Sequence, residues 1–172
     1  MANIKICFKR RAFSGFTIIE LIVVIAILGI LAAIIIPRLR EARLEAQKAQ
    51  AILMLSQIQR AIGFLETDSD QWPGHVAPGT IQSGASGNEM WNLNGDEAGL
   101  VLSDGAFPNW KGPYISSIPR DPWGNHYFFD TDYDIDPGAG QTWASVVGSF
   151  GPNGQGQNVY DSDNIIVVFA VE

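Results

Sequence analysis

The chain has 172 residues, 47% of them hydrophobic, with 18 acidic against 11 basic side chains and a formal net charge of -7. That length allows one modest domain besides a membrane segment, and the acidic balance argues against nucleic acid or anionic lipid as a partner. Cys7 is the only cysteine, which excludes a disulfide framework and a thiolate metal centre.

The first element runs from Phe16 to Ile36, apolar except for Thr17 and Glu20, and follows Lys5, Lys9, Arg10 and Arg11. As a helix, at a rise of about 1.5 Å per residue, it would be about 31 Å long and match a hydrocarbon core of about 30 Å. The composition therefore predicts a membrane span. Glu20 is the anomaly, because a carboxylate in lipid costs on the order of 2.5–3.5 kcal/mol and needs a partner. A cut between Gly15 and Phe16 would create an α-amino group one helical turn before Glu20, on the same chain or on a packed neighbour.

Two plainer readings compete. A secretory signal peptide would want a shorter apolar core followed by a small-x-small cleavage site, of which Ala26, Ala32 and Ala33 offer a loose version. A simple single-pass anchor accounts for the length but not for Glu20 so close to a Gly-Phe junction.

A basic leader ending at Gly15, then Phe16, Thr17, Glu20 and an apolar run closed by Pro37, resembles the class III signal of type IV prepilins and type II secretion pseudopilins. The resemblance implies cleavage after Gly15 by a prepilin peptidase, N-methylation of Phe16, and use of Glu20 and Pro37 in subunit assembly. Residues 1–15 would then be a removed leader, and 16–36 the transmembrane and assembly half of a longer helix. Four basic residues precede the span, against Arg38, Arg40 and Arg43 just after it. With a cytoplasmic peptidase in the picture, this favours an N-terminus inside the bacterial inner membrane and a C-terminal domain outside it.

Past Pro37 the residues Leu39, Ala42, Ala46, Ala49, Ile52, Leu55, Ile58, Ile62 and Leu65 recur at spacings of three and four. They predict an amphipathic continuation over residues 37–65, with one apolar stripe covered by the outer domain and with a kink or loosening at Pro37 rather than an end. A coiled-coil stalk is the alternative, though the stripe is short and rich in alanine.

Residues 66–172 change character. From Pro73 to Glu172 there are fifteen Gly and eight Pro, and all five Trp lie beyond Leu65, so a turn-dense domain with aromatic filling is expected. Asp68 to Gly95 reads as loop and Asp96 to Leu102 as a short helix. Asn125 to Asp130, Gln141 to Phe150 and Ile165 to Val171 read as three antiparallel strands that could lay one face on the helix. The expected fold class is α+β, a pilin-like long N-terminal helix on a small C-terminal antiparallel sheet.

The segment Asn109 to Phe129 is similar to one that major pseudopilins, the G-type subunits of type II secretion, carry before their first strand. The likeness rests on Trp110, Gly112, Pro113, Tyr114, Pro119, Asp121, Pro122, Trp123, Gly124, Asn125 and Tyr127; His126 departs from it. Read from the residues alone, it is a folded connector with a tight turn at Asp121 to Gly124 and Trp rings that plug the core.

Between the last two strands, Asn153, Asp161, Asp163 and Asn164 sit on a Gly-rich loop. Such oxygens suit a hard cation, although Asn, Asp and Gly are also ordinary turn residues. The G-type resemblance implies Ca²⁺ here, held by Asn153, Asp161 and Asp163, with Asn153 in place of an expected Asp. Asp130, Asp132, Asp134 and Asp136 match the opening spacing of an EF-hand loop, but Ile135 and Gln141 replace its Gly and Glu. They read as a solvent-facing strand edge that repels edge pairing. Neither histidine is in HExxH spacing, and GxSxG and phosphate-cradling motifs are absent, so no enzyme is predicted.

The functional expectation is a type II secretion pseudopilus subunit that polymerises into a helical filament driving protein export. Its partners would be other copies, the prepilin peptidase, minor pseudopilins, the inner-membrane secretion platform, and the membrane itself before assembly. A surface type IV pilus and a non-polymerising membrane-anchored binding module are the alternatives.

Overall fold

The computed structural model describes residues 15–82, 89–138, 140–156 and 160–172. Lys5, Cys7, Lys9, Arg10 and Arg11 lie outside the described residues. Among the described residues, one helix, three strands and a single turn of 3-10 helix make up the regular structure, an α+β arrangement.

Helix α1 spans Ile18–Ser69 and contains Pro37 without ending there. The chain divides into two compact units, Met1–Ala42 and Arg43–Glu172. In the first, every described residue is exposed, including Ile18 at 79% and Ile30 at 65%. This is a helix greasy on all sides, long and apolar enough to cross a membrane.

In the second unit, α1 contributes Ala51, Leu55, Ile58, Ala61, Ile62 and Leu65 to the core. The helix stops where Asp70 adopts a left-handed conformation at φ 54° and its amide donates to the Glu66 carbonyl. Aspartate tolerates that conformation better than most residues, so it can close a helix in the way glycine often does. The chain then doubles back. The Trp72 ring is buried, donates Nε1–H to Glu66 Oε2 at 2.8 Å, and packs edge-on against Phe129.

The expected stripe is corrected here in its first half. Leu39 and Ile52 are 66% and 50% exposed, and Ala42, Ala46 and Ala49 are exposed as well, whereas Leu55, Ile58, Ile62 and Leu65 are fully buried. The cause is angular drift. At about 100° per residue, each spacing of three steps back by about 60°, so the run winds round the helix instead of tracking one face.

Strands β1 (Phe128–Asp134), β2 (Trp143–Ser149) and β3 (Ile165–Val171) pair antiparallel in the order β1-β2-β3. Bulges interrupt the register between Asp130 and Tyr133 and between Ser145 and Val146. Tyr127, Phe129 and Val147 join the buried residues of α1, with Trp72, Leu93, Leu100 and Phe107 closing the cluster. A second cluster holds Phe128, Tyr133, Ala144 and Val146 on the other face.

Most of the aromatic filling is thus phenylalanine and tyrosine from the start of β1 together with Trp72, while Trp110 is only partly buried. The expected short helix is one 3-10 turn, Asp96–Ala98.

The reading of the aspartate ladder as solvent-facing is overturned, since Asp130, Asp132 and Asp134 are 1%, 4% and 5% exposed. The reason lies in the loop before it. Gln82 N donates to Thr131 O at 3.1 Å, and Met90 exchanges two backbone hydrogen bonds with Phe129 at 2.7 and 2.9 Å. Gln82 and Met90 thus pair with the outer edge of β1 at Thr131 and Phe129, and the carboxylates take local backbone donors. Asp130 Oδ1 accepts from Asp132 N at 2.8 Å, and Asp134 Oδ1 accepts from Asp136 N at 3.0 Å.

Candidate functional site

Two places gather the predicted site residues. The first is the start of α1, where Thr17 and Glu20 form a reciprocal cap. Thr17 N and Oγ1 donate to Glu20 Oε2 at 2.9 and 2.7 Å, and Glu20 N donates to Thr17 Oγ1 at 3.3 Å. This is a capping box, in which a Thr at the cap and a Glu three residues on satisfy amides that the helix leaves orphaned. Gly15 and Phe16 precede it in non-helical conformation, with Phe16 76% exposed. The pattern Thr-x-x-Glu before an apolar run was the available sequence signal for this arrangement.

The second place is the loop from Phe150 to Asn164, of which residues 157–159 lie outside the described residues. The structure brings Asn153, Asp161 and Asp163 together. Asn153 Nδ2 donates to Asp161 Oδ2 at 2.7 Å and to Asp163 Oδ1 at 2.6 Å, while Asn153 N donates to Asp163 Oδ2 at 2.9 Å. Asn153 Oδ1 faces away and accepts from Gln155 N at 2.6 Å.

The two carboxyls are close enough to split their protonation. A hydrogen bond from Asp163, then the Asn153 amide, holds Asp161 below the usual carboxylate range, whereas burial and then Asp161 push Asp163 above it. Asp161 Oδ1 is buried without a hydrogen-bond partner among the described residues.

These residues fit a hard cation: two convergent carboxylates, an amide whose oxygen can be turned inward, and one buried carboxylate oxygen still without a partner. In this structure the amide hydrogens of Asn153 occupy the place between the carboxylates, supplying the positive end of a dipole where an ion would supply charge. Gly151 makes the closure possible. It sits at φ 67°, and a Cβ there would run into the Asp163 carbonyl.

The loop is anchored to the connector. Asp121 is buried, accepts from Trp123 N at 3.1 Å and Asn125 N at 2.7 Å through Oδ1, and accepts from Ser149 Oγ at 2.7 Å through Oδ2. Ser149 Oγ in turn accepts from Gly151 N at 3.2 Å. The expected turn is present, with Gly124 N donating to Asp121 O at 3.0 Å and Gly124 at φ 97°. On the other side of the connector, Asp68 near the end of α1 takes Lys111 Nζ at 2.6 Å and Tyr114 Oη at 3.0 Å.

Comparison with known proteins gives a consistent picture. The family described as "Prokaryotic N-terminal methylation motif" matches residues 10–36, and "Type II secretion system (T2SS), protein G" matches residues 97–167. Type II secretion system core protein G of Aeromonas hydrophila is 31% identical over 123 residues, covering 69% of this chain and 73% of that protein. The core protein G of Pseudomonas aeruginosa is likewise 31% identical over 123 residues, with 69% and 74% covered. That of Escherichia coli K12 is 29% identical over 141 residues, with 82% and 83% covered. Among solved structures, the major pseudopilin from the type 2 secretion system of enterohaemorrhagic Escherichia coli aligns with a TM-score of 0.45 at 19% identity, covering 73% of this chain and 86% of that one.

Proposed function

The chain belongs to the type II secretion system core protein G family, and from that premise we propose that it is the major structural subunit of a type II secretion pseudopilus. The single observation that carries this reading is the start of α1: Gly15, Phe16 and a Thr17–Glu20 cap open a helix exposed on every side from Ile18 to Ala42. A helix so apolar has two ways to escape water, lipid or like helices, and exchanging one for the other costs little. Glu20 then sets register, because it is the only charge in the span and must be answered wherever the helix goes.

On this reading a prepilin peptidase cuts after Gly15 and Phe16 is N-methylated. The new amine of one subunit pairs with Glu20 of a neighbour, and the subunit passes from the inner membrane into the filament with its outer domain outside. Minor pseudopilins and the secretion platform are the further partners. The role is packing, with no catalytic step assigned.

The loop bearing Asn153, Asp161 and Asp163 would hold Ca²⁺. The ion would supply the positive charge that two facing carboxylates lack and tie the end of β2 to the start of β3, stabilising a domain without disulfides.

Intact mass and N-terminal sequencing of the protein purified from its own membranes test the reading. A methylated Phe16 at the N-terminus is expected; a chain still carrying residues 1–15 would overturn it.

A further inference from the structure

The outward face of α1 in the second unit is apolar with one positive charge. Ala46, Ala49, Leu53, Gln57, Arg60 and Phe64 follow one another by three or four residues in turn, which keeps them within about 60° of one line along the helix. All are exposed, Leu53 at 66% and Phe64 at 60%, and the buried residues Leu55, Ile58, Ile62 and Leu65 point the other way. Arg60 makes no hydrogen bond or ion pair among the described residues. A large aromatic, a leucine and an arginine on one exposed helix face have the composition of an interface core rather than of ordinary surface.

The charge of the rest of the unit says what fits there. From Ile62 to Glu172 the chain carries fifteen acids against Lys111 and Arg120. Both bases are engaged within the chain, Lys111 with Asp68 at 2.6 Å and Arg120 with the Gly124 carbonyl at 2.8 Å. Asp121, Asp130, Asp132 and Asp134 are buried, but Asp70, Asp96, Glu97, Asp136 and Glu172 are exposed, so the outer surface is acidic and Arg60 is its complement on the helix face.

We infer that this face is covered by the acidic outer surface of a second copy of the chain. The two patches are different and lie on one molecule, so the contact is head-to-tail, the kind that repeats without closing and yields a filament. The inference rests on the filament reading and adds the surface through which outer domains meet.

The mature chain would begin at Phe16 and hold no cysteine, so one introduced thiol is unique. The test is to place it by Ala49→Cys, Leu53→Cys or Phe64→Cys and compare labelling by a charged thiol reagent in detergent-solubilised subunits and in sheared filaments. Labelling is expected to fall about tenfold on assembly. Equal labelling in intact filaments would overturn the inference and leave the filament reading standing; failure of the native chain to form filaments would sink that reading and this inference with it. Protection already present in native membranes before assembly, lost on purification, would give the face to another protein and overturn the second-copy assignment.

A charge test runs beside it. Arg60→Glu sets acid against acid and is expected to cut filament yield about tenfold with melting of the solubilised subunit unchanged, while Arg60→Lys restores the yield. Full assembly of Arg60→Glu would overturn the inference.

Discussion

Ser149 Oγ donates to Asp121 Oδ2 at 2.7 Å, and that one bond joins the connector turn to the base of the candidate metal loop. Asp121 also holds the amides of Trp123 and Asn125. Asp121→Ala leaves three donors without their charged acceptor in a buried place, which is expected to cost about 3 kcal/mol. Thermal or chemical unfolding of the full chain in detergent reads this directly. Ser149→Ala removes one donor to Asp121 and the acceptor of Gly151 N, and should cost about 2 kcal/mol.

Asn153→Asp separates the two ways in which the loop balances its charge. Without calcium, a third carboxylate replaces the amide that bridges Asp161 and Asp163, so the melting temperature should fall below that of the native chain. With millimolar calcium the order should reverse, since ion affinity rises with ligand charge. Asp161→Ala should abolish the calcium-dependent rise. The measurement is a melting curve with calcium and with chelator for each variant; a native chain whose melting ignores calcium would refute the metal assignment.

Asp130 predicts a stability change with pH of unusual sign. Burial, together with Asp132 and then Glu89 beside it, pushes its carboxyl up to about 7. An unfolded Asp loses its proton near 3.9, so between about pH 4 and pH 7 the folded chain keeps a proton that the unfolded chain has released. Its contribution is fully present below about pH 4 and is lost as pH rises through about 7. Asp130→Asn keeps an acceptor for Asp132 N and removes the titration. It should melt like the native chain at pH 4.5 and above it at pH 7.5, with calcium held in excess throughout.

Glu20→Ala should stop assembly while leaving membrane insertion intact, because the span loses its only charge and becomes easier to insert. Carbonate extraction of membranes and pelleting of sheared filaments separate these two outcomes. Thr17→Val removes the hydroxyl from the cap and should weaken the first helical turn by about 1 kcal/mol. Filaments formed by Glu20→Ala would refute the pairing role.

The long apolar helix, the three strands and the turn at Asp121 were legible in the sequence because each is dictated locally, by an apolar run, by β-branched stretches or by a Pro and a Gly in one turn. Asn153, Asp161 and Asp163 were legible as a group for the same reason, being close in the chain. The burial of Asp130, Asp132 and Asp134 was not, since it depends on Gln82 and Met90 returning to cover β1 some forty residues upstream. Trp72 was likewise hidden: a Trp in a Pro-Gly segment looks like loop until Asp70 turns the chain back onto Glu66. The helix stripe misled through arithmetic, because spacings of three satisfy the eye while rotating away from the buried face.

The covered edge of β1 has a bearing on how these chains behave when crowded together. A bare strand edge is a template for cross-β stacking, and proteins often guard it with charge, a defence that added ions weaken. Here the guard is the chain's own backbone, through Gln82 on Thr131 and Met90 on Phe129. Raising ionic strength does not lift it, so at Phe129 and Thr131 the edge stays closed to strand addition however dense the population of subunits becomes.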